Sequence, residues 1–306
     1  MKIAAIDFGT NSLRLLIADL SRQNGRIELS PVVSCAVINQ LGKNLHEEKN
    51  IEPNKKTIDT IKEYKSLIKK HHVTKTFALA TSVFRDSPNS IQAKSTIENE
   101  LKMPINIISS EREAELMFKG ICINRKIRPD KKYLCLDIGG GSCEFILSNG
   151  KTIDKSFSLP IGCLRSKNRF LKTDPPTSAE IRNLETHIDT IIPTIKDIDQ
   201  IDKLFAFGGT VTSLAKIAIA KQEIPITDTE NYPLSKKEIE TFLKLVSNIK
   251  DNQINHHITA NLDPDRQSVI RSGSLIVLKI LDCLSQSEAT VTNQGILYGI
   301  ISECET

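Results

Sequence analysis

A short pattern occurs twice along this chain, and its repetition constrains the fold more than any other feature of the sequence. Residues 3–19 read IAAIDFGTNSLRLLIAD, and residues 133–149 read YLCLDIGGGSCEFILSN. A shift of 130 positions aligns three pairs of identical residues: Asp7 with Asp137, Gly9 with Gly139, and Ser12 with Ser142. Each copy is an apolar run, a turn of glycine and small polar residues, and a second apolar run, which predicts a β-hairpin. Self-similarity of this kind indicates two related domains.

The segments around the two hairpins alternate between helical and strand-like apolar spacing. Helices are predicted over residues 55–71, 88–102, 111–123, 211–219 and 265–285 and from residue 178, and strands over residues 76–80, 104–109 and 204–207. This alternation predicts an α/β protein in two lobes. We place the N-terminal domain at residues 1–125 and the C-terminal domain at residues 126–306.

Composition and charge exclude several classes of function. The chain carries 41 Lys and Arg against 37 Asp and Glu, and a net charge of +4 is too small an excess to indicate nucleic-acid binding, although it suits an anionic ligand. No apolar run approaches the roughly 18 residues of a membrane span, and Asp7 ends the N-terminal apolar stretch too early for a signal peptide. Seven scattered cysteines without a CxxC pair favour free thiols in a reducing compartment. We therefore expect a cytoplasmic protein with no membrane or nucleic-acid partner.

Three turns are rich in glycine and hydroxyl residues and are candidates for phosphate binding. They comprise Gly9, Thr10, Asn11 and Ser12; Gly139, Gly140, Gly141 and Ser142; and Gly208, Gly209 and Thr210. Successive N–H groups in such turns bind anions, and glycine lets the backbone approach the ligand closely. Asp7 and Asp137 end the strands before two of the turns, and a carboxylate beside a phosphate usually shares a hard cation with it, most often Mg²⁺. Any one of these clusters is more simply a turn, but two in register within a duplication favour a phosphate site.

Seven segments resemble one known family in order and over nearly the whole chain. They read AAIDFGTNSLRLLIADL, ATSVFRDSPN, IISSEREAELMFKGI, LDIGGGSCEFIL, SLPIGCLRSKNRFL, FGGTVTSLAKI and DPDRQSVIRSGSLIVLKIL. Together they resemble the exopolyphosphatase / guanosine pentaphosphate phosphohydrolase (Ppx/GppA) family of the actin-like ATPase superfamily. The resemblance implies two actin-like (ribonuclease H-like) lobes with a catalytic cleft between them. It also implies Mg²⁺-dependent removal of the terminal phosphate of inorganic polyphosphate or of the 5′ terminal phosphate of pppGpp. Because larger members add a C-terminal helical domain, this chain resembles the short, two-domain form.

The resemblance assigns the catalytic base to Glu113. Its carboxylate would orient and deprotonate the attacking water. Spacing alone favours a different role, because Ser110 and Glu113 match a helix capping box. The chain also departs from the family's Glu-Glu-Ala motif at this point, since Arg112 replaces the first Glu.

The resemblance places the metal at Asp137 and Glu144, with Asp7 as a further candidate ligand. Ser142 and Glu144 share one face of an alternating strand, so Glu144 is predicted to face the site. The alternative for Glu144 is an ordinary solvent-facing strand residue.

Arginines are the remaining candidates for phosphate binding. Arg85 matches a family Arg that contacts phosphate, although a local pair with Asp86 is the competing interpretation. Arg14 is a weaker candidate that faces the same way as Ser12, and the role of Arg266 stays open. A second departure lies near the C-terminus, where Gln294 replaces the family's usual Arg.

These observations predict an Mg²⁺-dependent exopolyphosphatase that acts on short chains. The alternatives are a pppGpp phosphohydrolase that binds guanosine penta- or tetraphosphate at the same site, an actin-like kinase, and a non-catalytic polyphosphate or nucleotide sensor. A row of lysines over residues 55–70 either binds along a polyanion or is simply a solvent-exposed helix face. Asp59 and Glu63 interrupt this row. Pairing of two copies as a homodimer is left open.

Overall fold

The computed structural model describes residues 1–23, 26–42, 50–195, 198, 200–222, 228–258, 262 and 264–304. The chain divides into two compact units. The first unit comprises Met1–Ile127 together with the chain from Gln294 onward, and the second comprises Arg128–Asn293. This differs from the predicted C-terminal domain of residues 126–306, because the last helix packs in an apolar core of the first unit.

Strands and helices alternate along most of the chain. The strands are β1 (Lys2–Phe8), β2 (Ser12–Gln23), β3 (Arg26–Ile38), β4 (Lys75–Ala80), β5 (Asn106–Ile107), β6 (Tyr133–Ile138), β7 (Cys143–Ser148), β8 (Ile153–Leu159), β9 (Lys203–Phe207), β10 (Pro233–Ser235) and β11 (Glu288–Val291). The helices are α1 (Lys55–Lys70), α2 (Ser82–Asp86), α3 (Ser90–Leu101), α4 (Ser110–Cys122), α5 (Cys163–Phe170), α6 (Ser178–Ile191), α7 (Gly209–Lys221), α8 (Lys236–Leu245), α9 (Pro264–Cys283) and α10 (Ile296–Ser302). Within the described ranges, no helix is both long enough and apolar enough to cross a lipid bilayer.

The first unit is built around a five-stranded sheet with the order β3-β2-β1-β4-β5. β1 pairs antiparallel with β2 and parallel with β4, which places it in the middle of the sheet. Side chains alternate between the two faces of β1. Ile6 and Phe8 pack in a core with α1 and α3, whereas Ile3 and Ala5 pack in a second core with α4 and α10. Both faces of β1 are therefore buried, which explains its nearly continuous apolar sequence.

Helices α4 and α10 approach each other so closely that their backbones touch. A Cβ atom built on Gly299 would lie 2.6 Å from the carbonyl carbon of Leu116 and closer still to its oxygen. A Cβ atom on Gly120 would lie 2.7 Å from the carbonyl carbon of Gly295. Real Cβ atoms do not occupy such positions, so glycine is required on both helices. This close approach lets the C-terminal helix pack against α4 in the apolar core of the first unit.

The second unit repeats the arrangement around a six-stranded sheet with the order β10-β11-β9-β6-β7-β8. β6 pairs antiparallel with β7 and parallel with β9, as β1 pairs with β2 and β4. Its apolar core is formed with the helices that follow, among them α6, α7, α8 and α9. The two hairpins predicted from the repeat are thus present, and the α/β prediction is confirmed.

The strand predicted over residues 104–109 is only two residues long. Pro104 has no N–H to donate to a neighbouring strand. The N–H of Ile105 donates to the Glu98 carboxylate at 2.7 Å, and Ser109 caps helix α4. The ladder is therefore limited to Asn106 and Ile107, which pair with β4.

Candidate active site

The two hairpin turns close in the same way. In the first turn (residues 9–12) the N–H of Gly9 donates to the carbonyl of Ser12 at 3.1 Å, and in the second turn (residues 139–142) Gly139 donates to Ser142 at 3.0 Å. A Cβ atom on either glycine would lie about 3 Å from that same carbonyl oxygen. The sequence repeat is therefore also a repeat of local geometry.

The carbonyl groups of the second turn are turned toward helix α5. The carbonyl of Gly139 accepts from Cys163 at 3.0 Å, and that of Gly140 accepts from Arg165 at 2.9 Å. In a planar trans peptide the N–H points opposite to the carbonyl. The N–H groups of Gly140 and Gly141 therefore face away from α5, in the orientation that an anion-binding turn needs.

Glycine at position 162 makes this contact with α5 achievable. A Cβ atom on Gly162 would lie 2.5 Å from the carbonyl carbons of Gly140 and Gly141. The backbone before α5 and the second turn are thus in direct contact. The motif SLPIGCLRSKNRFL contains the glycine that permits this contact, although no site residue is predicted within it from the sequence.

The first turn is held by a different segment of the chain. The carbonyl of Thr10 accepts from Gly42 at 2.8 Å, and that of Asn11 accepts from Asn39 at 3.0 Å and Gln40 at 3.1 Å. By the same peptide geometry, the N–H groups of Asn11 and Ser12 face away from these residues. The first turn thus presents N–H groups as the second does, with a different support behind it.

The third turn (residues 208–210) rests on the end of β6, beside Asp137. Gly208 has a φ of 108°, which favours glycine, and a Cβ atom there would lie 3.0 Å from Asp137 Oδ1. The guanidinium of Arg266 packs directly against Gly209, where it occupies the space of a side chain. The structure thus brings together the second and third turns and Asp137, and it adds Arg266, whose role the sequence left open.

The buried Asp7 and the partly exposed Arg14 form an ion pair next to the first turn. They are opposite each other in the β1–β2 ladder, and Arg14 Nε and Nη2 lie 2.9 Å and 2.8 Å from Asp7 Oδ2. Burial raises the pKa of Asp7, and the nearby Arg14 only partly offsets this. Within the described part of the chain, Asp7 Oδ1 has no hydrogen-bond partner. Arg14, predicted to bind phosphate, therefore already holds a carboxylate.

The second hairpin has a carboxylate at the position equivalent to Arg14. Asp137 faces Glu144 across the β6–β7 ladder. Glu144 Oε1 accepts from Ser142 Oγ at 2.5 Å and from Ser158 Oγ at 3.0 Å. Ser142 and Glu144 thus lie on one face, as predicted. The carboxylates of Asp137 and Glu144 occupy the positions that Asp7 and Arg14 occupy in the first hairpin. Like charges facing each other across a ladder repel unless a cation accompanies them.

These oxygen donors fit the hard cation that the resemblance implies. Mg²⁺ prefers carboxylate oxygens and is usually held by one or two of them together with substrate phosphates. Asp137 and Glu144 supply such a pair in the second unit. In the first unit, Asp7 Oδ1 is a buried carboxylate oxygen that accepts no hydrogen bond from the residues that the structure describes. Among the residues that the structure describes, no group of three or more His, Cys, Asp or Glu side chains is arranged to hold a metal by itself. A two-carboxylate site completed by phosphate is the arrangement that these residues favour.

Glu113 does not act as a helix cap. The N-cap of α4 is Ser109, whose side chain accepts from the N–H of Arg112 at 3.2 Å, so the capping box predicted from Ser110 and Glu113 is wrong. Instead, Glu113 Oε2 accepts from Arg85 Nη1 at 2.8 Å, and Nη1 also donates to the carbonyl of Ile108 at 2.9 Å. The structure therefore pairs Arg85 with Glu113, whereas the competing interpretation paired it with Asp86. The predicted base and the predicted phosphate ligand are in contact and mostly buried.

Both departures from the family pattern take part in packing. Arg112 pairs with Glu115 at 3.0 Å and with Glu303, which also pairs with Lys119. The side-chain oxygen of Gln294 accepts from Arg125 at 2.9 Å. These contacts tie the C-terminal segment to α4 and to Arg125, just after that helix. Sequence reasoning could not find Glu303 because its partners lie on a helix far away in the chain.

Each unit of this protein contains a mixed sheet with a β-hairpin, and the turn of each hairpin contains glycine. This duplication is typical of the actin-like class of proteins. Residues 20–306 match the family model described as the Ppx/GppA phosphatase family. The chain belongs to this family, and the resemblance found in the sequence is confirmed.

Individual relatives agree with this assignment. The chain is 31% identical to the bifunctional 3-dehydroquinate synthase/phosphatase of Fusobacterium nucleatum over 98% of its own length, and it spans about half (46%) of that relative. It is 28% identical to exopolyphosphatase 2 of Mycobacterium tuberculosis, with 98% of this chain and 97% of the relative covered. The crystal structure of an exopolyphosphatase from Cytophaga hutchinsonii superposes with a TM-score of 0.86 at 25% identity, covering 99% of this chain and 97% of that one.

Proposed function

We propose that this protein is an exopolyphosphatase that releases orthophosphate from the end of short inorganic polyphosphate chains. Family membership and the names of its full-length relatives support hydrolysis of a phosphoanhydride bond. The observation that carries the proposal is the buried contact between Glu113 and Arg85. A carboxylate held by a guanidinium places a proton acceptor beside a group that grips phosphate.

The proposed reaction uses Glu113 as the base. Glu113 accepts a proton from a water molecule whose oxygen attacks the terminal phosphorus. The bridging P–O bond breaks, and the shortened chain leaves with the electron pair of that bond. A positioned base of this kind contributes about 10²–10⁴ to the rate.

The remaining groups hold the charge of the phosphate chain. Both of the hydrogen bonds that Arg85 makes to Glu113 and Ile108 come from Nη1, and its other nitrogens would donate to phosphoryl oxygens. The N–H groups of the glycine turns bind further oxygens. When bound by Asp137 and Glu144, Mg²⁺ would neutralise phosphoryl charge. Positioning and charge stabilisation supply most of the acceleration in phosphoryl transfer.

The test is release of orthophosphate from short polyphosphate, long polyphosphate, pppGpp and ATP in parallel, with and without Mg²⁺. We expect the highest kcat/KM on short polyphosphate and only with Mg²⁺. Preference for pppGpp would identify the phosphohydrolase instead, and binding without release would identify a sensor. Transfer of phosphate from ATP to an acceptor would identify a kinase.

The role of Glu113 is tested by Glu113→Gln, which keeps the acceptor oxygen for Arg85 and removes the base. We expect kcat to fall about 100-fold or more while KM stays within a few-fold. Glu115→Gln is the matched control, because Glu115 lies on the same helix with a side chain 54% exposed. Full activity of Glu113→Gln would exclude Glu113 as the base.

A further inference from the structure

Arg165 carries a buried donor that the proposed reaction does not yet use. It is the third residue of α5 and is half-buried. Its Nε atom is shielded from solvent and has no hydrogen-bond partner within the described part of the chain. A buried N–H of a charged group without an acceptor is unfavourable. The position is therefore costly unless a ligand brings the missing acceptor.

The backbone of Arg165 is fixed to the second glycine turn. Its N–H donates to the carbonyl of Gly140 at 2.9 Å, and the N–H of Leu164 donates to the same carbonyl at 3.0 Å. The close contact between Gly162 and the turn holds α5 in this place. An anion bound by the turn's N–H groups would lie on the opposite side of these peptides from α5, so the Arg165 side chain would have to extend past the turn to donate to it.

The other cationic side chains on α5 differ from Arg165 in the groups that lie near them. Lys167 lies 3.8 Å from the carboxylate of Asp251. Arg169 is exposed, and its guanidinium stands 5.0 Å from the centre of the Phe170 ring. No acidic residue occurs in α5 itself, whose sequence is CLRSKNRF. Arg165 thus combines proximity to the turn with an unsatisfied donor.

We propose that Arg165 is a further substrate-binding residue, which donates to non-bridging oxygens of the phosphate chain at the second turn. This inference rests on the proposed function and deepens it. A guanidinium offers two parallel N–H donors to phosphate, and a lysine ammonium cannot reproduce that geometry. Arg165 holds the chain before and during reaction alike, so it acts on KM more than on kcat.

The test measures binding and kinetics of tripolyphosphate with Arg165→Ala, Arg165→Lys and the control Arg169→Ala. Affinity is measured by calorimetry in the Glu113→Gln background, and KM and kcat in the otherwise native protein. We expect Arg165→Ala to weaken binding and raise KM at least tenfold with kcat within threefold. Arg165→Lys restores only part of the loss, and Arg169→Ala stays within twofold.

Stability separates substrate binding from a structural role. Arg165→Ala removes an unsatisfied buried donor, so without phosphate we expect a urea midpoint at least as high as that of the native protein. Tripolyphosphate should raise the midpoint of the native protein more than that of the variant.

Three outcomes would overturn the inference: an unchanged KM and affinity in Arg165→Ala, a lowered midpoint with unchanged affinity, or an equal loss in Arg169→Ala. In each of these the native protein still hydrolyses polyphosphate and the proposed function stands. A native protein that neither binds nor hydrolyses polyphosphate would remove both.

Discussion

Replacing Gly299 by alanine tests the backbone contact between α10 and α4. The added Cβ would lie 2.6 Å from the carbonyl carbon of Leu116, whereas ordinary contacts begin near 3.4 Å. The two helices must therefore separate by at least about 0.8 Å at this carbon and by more at the Leu116 carbonyl oxygen, because the obstacle is backbone and no side-chain rotation relieves it. A gap of this size forfeits about a quarter to a half of the dispersion energy of the atoms beside it.

The expected magnitude follows from two opposing effects. Overpacking in a well-packed core costs about 3 kcal/mol at the upper end of its usual range. The higher helix propensity of alanine over glycine raises the free energy of unfolding by about 1 kcal/mol, which offsets part of this cost. We therefore expect Gly299→Ala to lower the free energy of unfolding by about 2 kcal/mol. It should also lower kcat, because α4 carries Glu113.

Urea unfolding followed by circular dichroism measures this change, and phosphate release measures its effect on activity. Ser302→Ala is the control in the same helix, because it adds no atom and removes only a hydroxyl that donates to the carbonyl of Gly299. It should stay within about 1 kcal/mol of the native protein. Gly299→Ala with native or higher stability would show that the two backbones are not in contact.

Two further outcomes are expected. Asp137→Asn should raise the Mg²⁺ concentration for half-maximal activity, because an amide is a poorer ligand for a hard cation. Replacement of the exposed Asp130 by Asn is the control. Equal Mg²⁺ titrations of Asp137→Asn and the native protein would exclude Asp137 as a metal ligand. Burial raises the pKa of Cys122 from 9.0 to about 11, so at pH 8 its thiolate fraction is about 100-fold below that of an ordinary thiol. Peptide mass spectrometry can measure the rate at which Cys122 is alkylated. We expect alkylation to be slow at pH 8, to continue accelerating above pH 10, and to reach the rate of an ordinary thiol in urea. Rapid labelling of the folded protein at pH 8 would contradict this.

The hairpins could be predicted because their signals are local. Apolar runs on either side of a glycine turn determine both the strands and their pairing. The domain assignment of α10 could not be predicted, since nothing in ILYGIIS indicates which unit it will pack against. Its partner becomes visible in the structure, from the close approach of Gly299 to Leu116 and from the apolar core that the two helices share.

The site was predictable in part for a similar reason. Motifs located Arg85 and Glu113 individually, but their contact joins residues on different helices, 28 positions apart in the chain. The cap was misplaced by one residue because Ser109 and Ser110 are chemically equivalent, and only backbone geometry distinguishes them. The aligned repeat shows that Glu144 replaces Arg14 in the second hairpin. Only the ladder register shows that these residues face Asp137 and Asp7, respectively.

The division of the first unit also determines the order in which it can be completed during synthesis. The ribosome makes residues 128–293 before α10 emerges. At about 5–20 residues per second, this takes roughly ten to thirty seconds. During that time Ile3 and Leu116 lack the cover that Ile296 and Ile301 later provide. A nascent chain of this protein therefore displays an apolar face for the length of one unit's translation.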